Sequence, residues 1–195
     1  MEKKNSIQTK IINTAQEVFT RFGYAKTTME DIAREMGKGK SSIYYYFTSK
    51  EDIYRAVIEK ELQVMKTKIL NALSQQTLPR EKLKAYVGER MHGLKSLPNL
   101  YQVLRVEILT QPDFIVEVRQ QTDRAEITIV TDILDGGVAD GTFNIEETHL
   151  TAIAIVTALK GMEIPLLLSD TGDDNLLEQR LDRLLDVLFF GIVKR

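Results

Sequence analysis

The sequence predicts an all-α protein: a three-helix helix-turn-helix head followed by a larger helical bundle. Apolar residues recur every three or four positions along almost the whole chain, and strand-like alternation is hardly seen. The composition, 43% apolar and 28% charged in 195 residues, is that of an ordinary globular protein. Glycine and proline breaks separate the periodic segments into about nine helices, and one glycine-rich turn is predicted over Gly136, Gly137 and Gly141.

Charge divides the chain near residue 50. Residues 1–50 contain nine lysines and arginines against five acidic residues, a net charge of +4. The remaining residues contain 17 against 23, a net charge of −6. A basic segment beside an acidic one indicates that the first meets an anion. We therefore predict two domains, residues 1–50 and residues 51–195, with the anion-binding surface in the first.

The head is predicted to contain three helices. The first is amphipathic and stops at Gly23. A threonine lies three residues before Glu30, which matches a capping box, so the second helix is expected to begin near Thr28. That helix must stop at Gly37, and a short turn through Gly39 leads into the third helix.

The third helix is predicted to expose polar and aromatic side chains. Ile43 and Phe47 are four residues apart and form the core-facing pair. A helix fits the major groove of DNA, and hydrogen-bond donors near its N-terminus reach base edges. Nearby lysines bind phosphates, and so does the N-terminus of the fourth helix, which a hydroxyl side chain caps. The candidate contacts on this reasoning are Lys40, Ser41, Tyr44, Tyr45 and Lys50. The alternative is a buried aromatic corner, but four consecutive rings cannot all face one side of a helix.

The segment from Ile11 to Ile53 carries a specific pattern. Its clearest parts are Phe22-Gly-Tyr-Ala-Lys-Thr-Thr-Met-Glu-Asp-Ile-Ala33 and Ser42-Ile-Tyr-Tyr-Tyr-Phe-Thr-Ser-Lys-Glu-Asp-Ile53. This segment resembles the TetR family of bacterial transcriptional regulators. The resemblance implies a DNA-binding domain of three helices, a ligand-binding domain of about six, and a homodimer that releases double-stranded DNA when a small molecule binds.

Carried over position by position, the resemblance implies groove contacts by Lys40, Ser41, Ser42, Tyr44 and Tyr45, and phosphate contacts by Thr28, Tyr46 and Lys50. Two positions depart from the family pattern. Lys38 stands where a small apolar residue is usual, and Gly39 stands where serine is usual. Lys38 is therefore a further candidate phosphate contact, and Gly39 predicts a weaker cap for the third helix.

The middle helices of the larger domain are predicted to surround a small-molecule effector. A mostly apolar lining favours a lipophilic or amphipathic ligand. The candidate lining residues are Tyr86, Met91, Tyr101, Leu104, Ile108, Phe114, Val118 and Thr122, and Arg105, Glu107 and Arg119 are candidates for orienting a charged group. The apolar residues also fit an ordinary core, and the charged residues also fit a solvated face. The sequence does not choose between these interpretations.

The last two helices carry the small and apolar faces expected of a dimer seam. The predicted interface residues are Ala154, Ala158, Gly161, Leu181, Leu184 and Leu188. Alternatively, both faces close the core of a monomer. A homodimer is favoured because a single recognition helix rarely supplies enough contacts for useful specificity.

Two other classes of protein have to be weighed. Both histidines occur in Glu-x-x-His arrangements, Glu89–His92 and Glu146–His149, and pairs of such motifs bind two irons in ferritin-like bundles. Neither motif lies in the middle of its predicted helix, where a buried di-metal site would need it. A pure protein-interaction bundle is the other alternative, although it would not need a basic head. Cysteine, nucleophile-elbow and phosphate-loop motifs are absent, so we predict no catalytic residue, metal or cofactor.

The N-terminal residues lack the apolar core of a secretory signal. The most apolar stretch, residues 151–168, is interrupted by Lys160, Glu163 and Pro165 and falls short of a membrane span. The sequence therefore predicts a cytoplasmic protein with no membrane helix.

Overall fold

The computed structural model of the protein describes residues 2–102, 104, 113–168 and 174–191. These residues form helices joined by turns, and no strand occurs among them. The all-α prediction is confirmed. The helices are α1 (Glu2–Phe22), α2 (Met29–Glu35), α3 (Lys40–Tyr44), α4 (Lys50–Ser74), α5 (Pro79–Lys95), α6 (Asp113–Ala139), α7 (Thr148–Leu168) and α8 (Asp174–Phe190). Residues 98–102 are helical as well.

The chain forms two compact units. One consists of the residues up to Val64 together with a segment that begins at Leu97, and the other consists of Met65–Ser96 and the chain from Leu104 onward. Helix α4 runs unbroken from Lys50 to Ser74 and so contributes residues to both units. The functional boundary predicted at residue 50 stays a prediction.

The first unit is built around one buried stripe on each of its helices. Helix α1 packs against α2, and α2 packs against α3. The buried apolar residues include Ile11, Ala15, Val18 and Phe19 of α1, Ile32 and Ala33 of α2, Ile43 of α3, and Ile53, Val57 and Ile58 of α4. Each large side chain of this kind contributes about 1.5–3 kcal/mol through burial. This core determines which side of α3 is exposed.

A buried carboxylate connects residues 98–102 to α1 and α4. The Glu61 side chain accepts hydrogen bonds from Gln16 Nε2 (2.8 Å), Asn99 Nδ2 (2.8 Å) and the Leu100 N–H (2.7 Å). Glu61 is fully buried. These three donors satisfy the buried side chain with hydrogen bonds.

The second unit contains the glycine-rich segment, where one prediction is wrong. Helix α6 continues through Gly136 and Gly137 and ends at Ala139. A Cβ atom at residue 137 would overlap the ring of Phe143, whose N–H donates to the Gly137 carbonyl at 2.8 Å. Gly137 therefore permits a close approach inside a helix, and the turn comes later, where Gly141 has a φ of 79°.

Candidate nucleic-acid interface

Helix α2 begins near Thr28 as predicted, but its capping box consists of Thr28 and Asp31, one residue later than the predicted pair of Thr27 and Glu30. The Thr28 hydroxyl accepts from the Asp31 N–H (3.2 Å), and the Thr28 N–H donates to Asp31 Oδ2 (2.9 Å). Thr27 is buried instead, and its hydroxyl donates to the Gly23 carbonyl at 2.8 Å. Hydrogen bonds from the Thr28 hydroxyl and N–H lower the pKa of Asp31. The acid is Asp31 and not Glu30, because the third residue of the helix is the one that reaches back to the cap.

The turn between α2 and α3 depends on a left-handed glycine. Gly37 has a φ of 63°, and the Lys38 N–H closes the turn by donating to the Ala33 carbonyl at 2.9 Å. Gly39 precedes α3 as its N-cap and provides no side-chain hydrogen bond. Lys38 is exposed on this turn.

Helix α3 buries one side and exposes the other, as the spacing predicts. Ile43 is 1% exposed and the following Phe47 is 7% exposed, whereas Tyr44 and Tyr45 are 44% and 71% exposed. Lys40, Ser41 and Ser42 are exposed too, and Tyr46 is half-buried. All five predicted groove contacts are therefore exposed on α3 and at its C-terminal end, and we call this set the α3 face: Lys40, Ser41, Ser42, Tyr44 and Tyr45.

Lys40 forms an ion pair with Glu30 of α2. Its ammonium lies 5.4 Å from the centre of the Tyr44 ring. The hydrogen bond with Glu30 raises the pKa of Lys40. Sequence reasoning treated Glu30 only as a capping residue.

Lys50, a predicted phosphate contact, also holds the first unit together. Its ammonium donates to the Tyr24 carbonyl at 2.8 Å and lies 4.2 Å from the centre of the Tyr24 ring. That ring packs 4.5 Å from the ring of Tyr54 and 5.9 Å from the ring of Phe19. An ammonium has three N–H donors, and the carbonyl uses one of them. Tyr24 was not predicted, since the sequence gives no local sign that a lysine 26 residues away bonds to it.

Helix α4 starts with the predicted hydroxyl cap. The Asp52 N–H donates to Ser49 Oγ, and the Ser49 N–H donates to Asp52 Oδ2, both at 3.0 Å. The Thr48 hydroxyl bonds the same carboxylate. Hydrogen bonds from the Thr48 and Ser49 hydroxyls lower the pKa of Asp52. A carboxylate thus already occupies part of the helix end on which the sequence placed a phosphate.

The predicted ligand-lining residues fall into three groups. Tyr86, Met91 and Leu104 are buried, whereas Tyr101 and Thr122 are half-buried. Tyr101 belongs to the first unit, and the others belong to the second. Ile108 and the side chains of Phe114 and Val118 lie outside the described residues, as do Arg105 and Glu107. The assignment of all eight residues to a ligand site stays a prediction.

A buried ion network, which the sequence did not predict, joins α5, α6 and α7. Arg90 Nε donates to Glu126 (2.9 Å), and Arg90 Nη1 lies 2.7 Å from a Glu163 oxygen. Burial alone would lower the pKa of Arg90, but the charges of Glu126 and Glu163 outweigh burial and raise it. Arg119 completes the network by donating to the other Glu163 oxygen at 3.1 Å. Its one sequence signal is Glu163 itself, an acid in the most apolar stretch of the chain.

The predicted dimer residues differ in exposure. Ala154, Ala158 and Gly161 are exposed on α7, and Leu184 and Leu188 of α8 are half-buried. Leu181 is only 3% exposed within the single chain, so its side chain already belongs to its own core. The small-residue stripe remains available to a second chain, and the interface stays a prediction.

The two Glu-x-x-His motifs lie at the surface. His92 is exposed and bonds the Gly88 carbonyl (2.8 Å) and Glu178 (2.6 Å). Glu89 is half-buried, whereas Glu146 and His149 are both exposed near the start of α7, and Glu146 precedes that helix. In the part of the chain that the structure describes, no group of three or more potential ligands is arranged around a metal position. This placement does not favour the di-iron alternative.

The described helices also fall short of the requirements of a membrane span. None of them combines the necessary length with sufficient apolar character.

Sequence comparisons identify related regulators. The model of the family described as "Bacterial regulatory proteins, tetR family" matches residues 11–57. The chain is 28% identical over 145 residues to the uncharacterized HTH-type transcriptional regulator YfiR of Bacillus subtilis (strain 168), covering 73% of this chain and 70% of that protein. It is 26% identical over 131 residues to the HTH-type transcriptional regulator RutR of Escherichia coli (strain K12), covering 67% and 61%.

Solved structures share the fold over nearly the whole chain. A transcriptional regulator from Cytophaga hutchinsonii ATCC 33406 has a TM-score of 0.80 at 26% identity, covering 93% of this chain and 95% of that one. The transcriptional regulator FadR from Bacillus subtilis, solved in complex with stearoyl-CoA, has a TM-score of 0.74 at 23% identity and covers 95% and 99%.

Proposed function

Because the chain belongs to the TetR family of bacterial regulatory proteins and is a helix-turn-helix transcriptional regulator, we propose that it is a homodimeric repressor released from a palindromic operator by a small, lipophilic effector. The α3 face carries this proposal. Tyr45 exposes 71% of its surface beside an exposed lysine and two exposed serines. A surface that combines donors, a cation and flat rings suits base edges and thymine methyl groups in the major groove.

The residues of the head are assigned two roles. Lys40, Ser41, Ser42, Tyr44 and Tyr45 contact the groove, and Thr28, Lys38, Tyr46 and Lys50 contact phosphates. Groove contacts provide specificity, whereas phosphate contacts fix the orientation and contribute the salt dependence. The Lys40–Glu30 pair supports the groove role. Both side chains are 52% exposed, so Lys40 can leave Glu30 for a DNA contact at little cost in free energy.

Two copies of the head are required in this proposal. A two-fold dimer presents its recognition helices to successive major grooves, about 34 to 36 Å apart, and so reads an inverted repeat. The exposed small residues Ala154, Ala158 and Gly161 support a close approach of α7 to a second chain. The regulator works on chromosomal DNA, so a cytoplasmic location is part of the proposal.

The effector is assigned to the second unit. Tyr86, Met91 and Leu104 supply buried apolar surface there, which suits a lipophilic compound. The stearoyl-CoA bound by the Bacillus subtilis FadR makes acyl-chain compounds the first class to test. Helix α4 is the candidate for transmitting the effect of effector binding to the DNA-binding head. It supports this role because it is continuous from Lys50 to Ser74 and contributes residues to both units.

The test is selection of random double-stranded DNA at near-physiological salt, followed by sequencing of the bound pool. We expect an inverted repeat with half-sites about one helical turn apart. A matched control is Tyr45→Ala combined with Lys40→Ala, which should abolish enrichment while leaving the fold intact. Failure of the folded protein to enrich any sequence, even after unfolding, dialysis and refolding to remove a bound effector, would contradict the proposal.

A further inference from the structure

Tyr24 holds Lys50 through two separate contacts. The Lys50 ammonium donates to the Tyr24 carbonyl at 2.8 Å and lies 4.2 Å from the centre of the Tyr24 ring. The quadrupole of an aromatic ring attracts a cation over its face, and the attraction grows when water is partly excluded. Both residues are half-buried. The flexible four-carbon side chain of Lys50 is therefore restricted to one place before any anion binds.

The Tyr24 ring has a fixed position because it belongs to an aromatic cluster, which consists of Phe19, Tyr24 and Tyr54. Its centre lies 4.5 Å from that of the Tyr54 ring and 5.9 Å from that of the Phe19 ring. The Phe19 and Tyr54 rings meet edge to face at 4.9 Å. These distances are typical of packed aromatic pairs. Phe19 and Tyr54 are only 1% and 4% exposed, so two core side chains support the ring that faces Lys50.

The turn after α1 fixes the Tyr24 carbonyl as well. Gly23 has a φ of 79°, and its N–H donates to the Phe19 carbonyl at 2.8 Å. The Thr27 hydroxyl donates to the Gly23 carbonyl at 2.8 Å, and the Thr27 N–H donates to the Tyr24 carbonyl at 3.3 Å. These contacts involve only the backbone of Tyr24, so a substitution at this position changes the ring and leaves the carbonyl in place.

Neither contact neutralises the charge of Lys50. A carbonyl and an aromatic ring are uncharged, and in the part of the chain that the structure describes no carboxylate pairs with this lysine. The neighbouring acid, Glu51, instead lies 4.0 Å from Arg55. Lys40 differs, because its partner is the Glu30 carboxylate. An ammonium has three N–H donors and the carbonyl takes one, so Lys50 is ordered and still able to bind an anion.

We propose that Tyr24 is a positioning residue for DNA binding, whose ring and carbonyl hold the Lys50 ammonium in the place from which it contacts a backbone phosphate. Ordering a lysine side chain costs conformational entropy, and the folded head has already ordered this one before DNA arrives. The benefit is the same for every DNA sequence, because phosphates carry no sequence information. This inference rests on the part of the proposed function that assigns Lys50 to a phosphate.

The experiment measures the affinity of the whole chain for a duplex of arbitrary sequence at several salt concentrations. Tyr24→Leu should weaken binding by about two- to fivefold, the effect of one cation–π contact. The salt slope should stay unchanged, because the variant keeps every cation. Tyr24→Phe keeps the ring and should bind like the wild type. In the background of Lys50→Ala, which lowers the slope by about one, Tyr24→Leu should cause no further loss.

Tyr54→Phe is the matched control for stability. It removes the hydroxyl that donates to the Asn99 carbonyl at 3.4 Å and leaves the ring beside Tyr24 in place. This control should lower the melting temperature without changing DNA affinity, provided that every variant is assayed well below its own melting temperature. If it weakens DNA binding as much as Tyr24→Leu does, the loss comes from the stability of the aromatic cluster, and the positioning role fails.

A spectroscopic measurement on the wild type tests the same contact without depending on the folding of a leucine variant. Protons over the face of an aromatic ring resonate upfield. The ε-methylene protons of Lys50, identified by their absence in Lys50→Ala, should therefore lie upfield of those of the other lysines. The shift should persist in excess duplex DNA, because a positioned lysine stays on the ring while it binds phosphate. An ordinary shift in the free protein, or its loss on adding DNA, would overturn the inference.

Three affinity results would do the same: wild-type binding by Tyr24→Leu, an equal loss from Tyr24→Leu with and without Lys50, or an equal loss in Tyr24→Phe. Operator selection keeps the two proposals apart. If no operator is found but the variants differ on arbitrary DNA as stated, the operator-bound repressor fails and the positioning role stands. If an operator is selected and Tyr24→Leu binds it like the wild type, only the positioning role fails.

Discussion

Ion pairs of similar chemistry lie in opposite environments in the two units. In the first unit, Lys40 and Glu30 pair across the α3 face with both side chains 52% exposed. In the second, Arg90 bonds Glu126 and Glu163 with all three side chains no more than 6% exposed. When the exposed pair opens, water solvates Lys40 and Glu30. When the buried network opens, no water replaces the partners that Arg90 and the glutamates lose. The exposed pair is thus suited to exchange the Glu30 carboxylate for a base edge in the groove, and the buried network is suited to hold helices in place.

Burial, and not membership of a unit, is what separates the two cases. Glu61 belongs to the first unit, yet it is fully buried and accepts three hydrogen bonds from Gln16, Asn99 and Leu100. Its surroundings resemble those of Glu163 more than those of Glu30. The first unit therefore has a fixed interior and an exchangeable surface, which a DNA-binding head requires.

The largest effect is expected from Arg90→Ala. This change leaves Glu126 and Glu163 with reduced or no compensation in a buried site, so the free energy of unfolding should fall by about 3–5 kcal/mol. The measurement is equilibrium urea unfolding. Arg34→Ala is the control, because Arg34 pairs with Asp31 at the surface and should cost less than about 1 kcal/mol. Equal losses for the two variants would remove the distinction between the networks.

Substitutions on the α3 face should rank next, and they act on DNA binding. Tyr45→Ala and Lys40→Ala are each expected to weaken operator binding by about 1–3 kcal/mol and random DNA much less. Lys50→Ala should weaken both alike and lower the salt slope by about one. Titration at several salt concentrations measures these quantities, with Lys66→Ala, an exposed lysine of α4 in the second unit, as control. Identical effects of all three substitutions on both kinds of DNA would refute the assigned roles.

The smallest effect is expected from Glu30→Gln. Removing the carboxylate frees Lys40 from its ion pair and reduces repulsion of phosphate, so DNA binding should strengthen by less than about 1 kcal/mol. The gain should shrink as salt rises. A double-mutant cycle with Lys40→Ala isolates the pair, because Glu30→Gln should gain less when Lys40 is absent. A gain that is the same in both backgrounds would mean that the pair does not restrain Lys40.

Predictions from sequence succeeded where the governing interactions are local. Ile43 and Phe47 define the buried side of the third helix at helical spacing, and the structure buries both. Gly37 and the hydroxyl at Ser49 set a turn and a helix start through contacts within a few residues. The first capping box was predicted for Thr27 and Glu30 and is formed by Thr28 and Asp31, an error of one position in a local rule.

Sequence reasoning missed contacts that depend on how distant parts of the chain pack together. Gly137 was taken for a helix break, but the approach of Phe143 explains it. Lys50 was assigned to phosphate alone, but a carbonyl 26 residues away also holds it.

The sequence by itself determined the helical fold, the basic head and the exposed side of α3, because helical periodicity, caps and glycine turns act over one or two turns of chain. Only the tertiary structure decided that Arg90 meets Glu126, 36 residues away, and Glu163 on a third helix. It also decided that the Tyr86 phenol is buried beside Glu126 and Arg90 of this network, and burial with the charge of Glu126 raises its pKa. The physical reason is that burial and long-range hydrogen bonding depend on which helices pack together, and no local pattern records that choice.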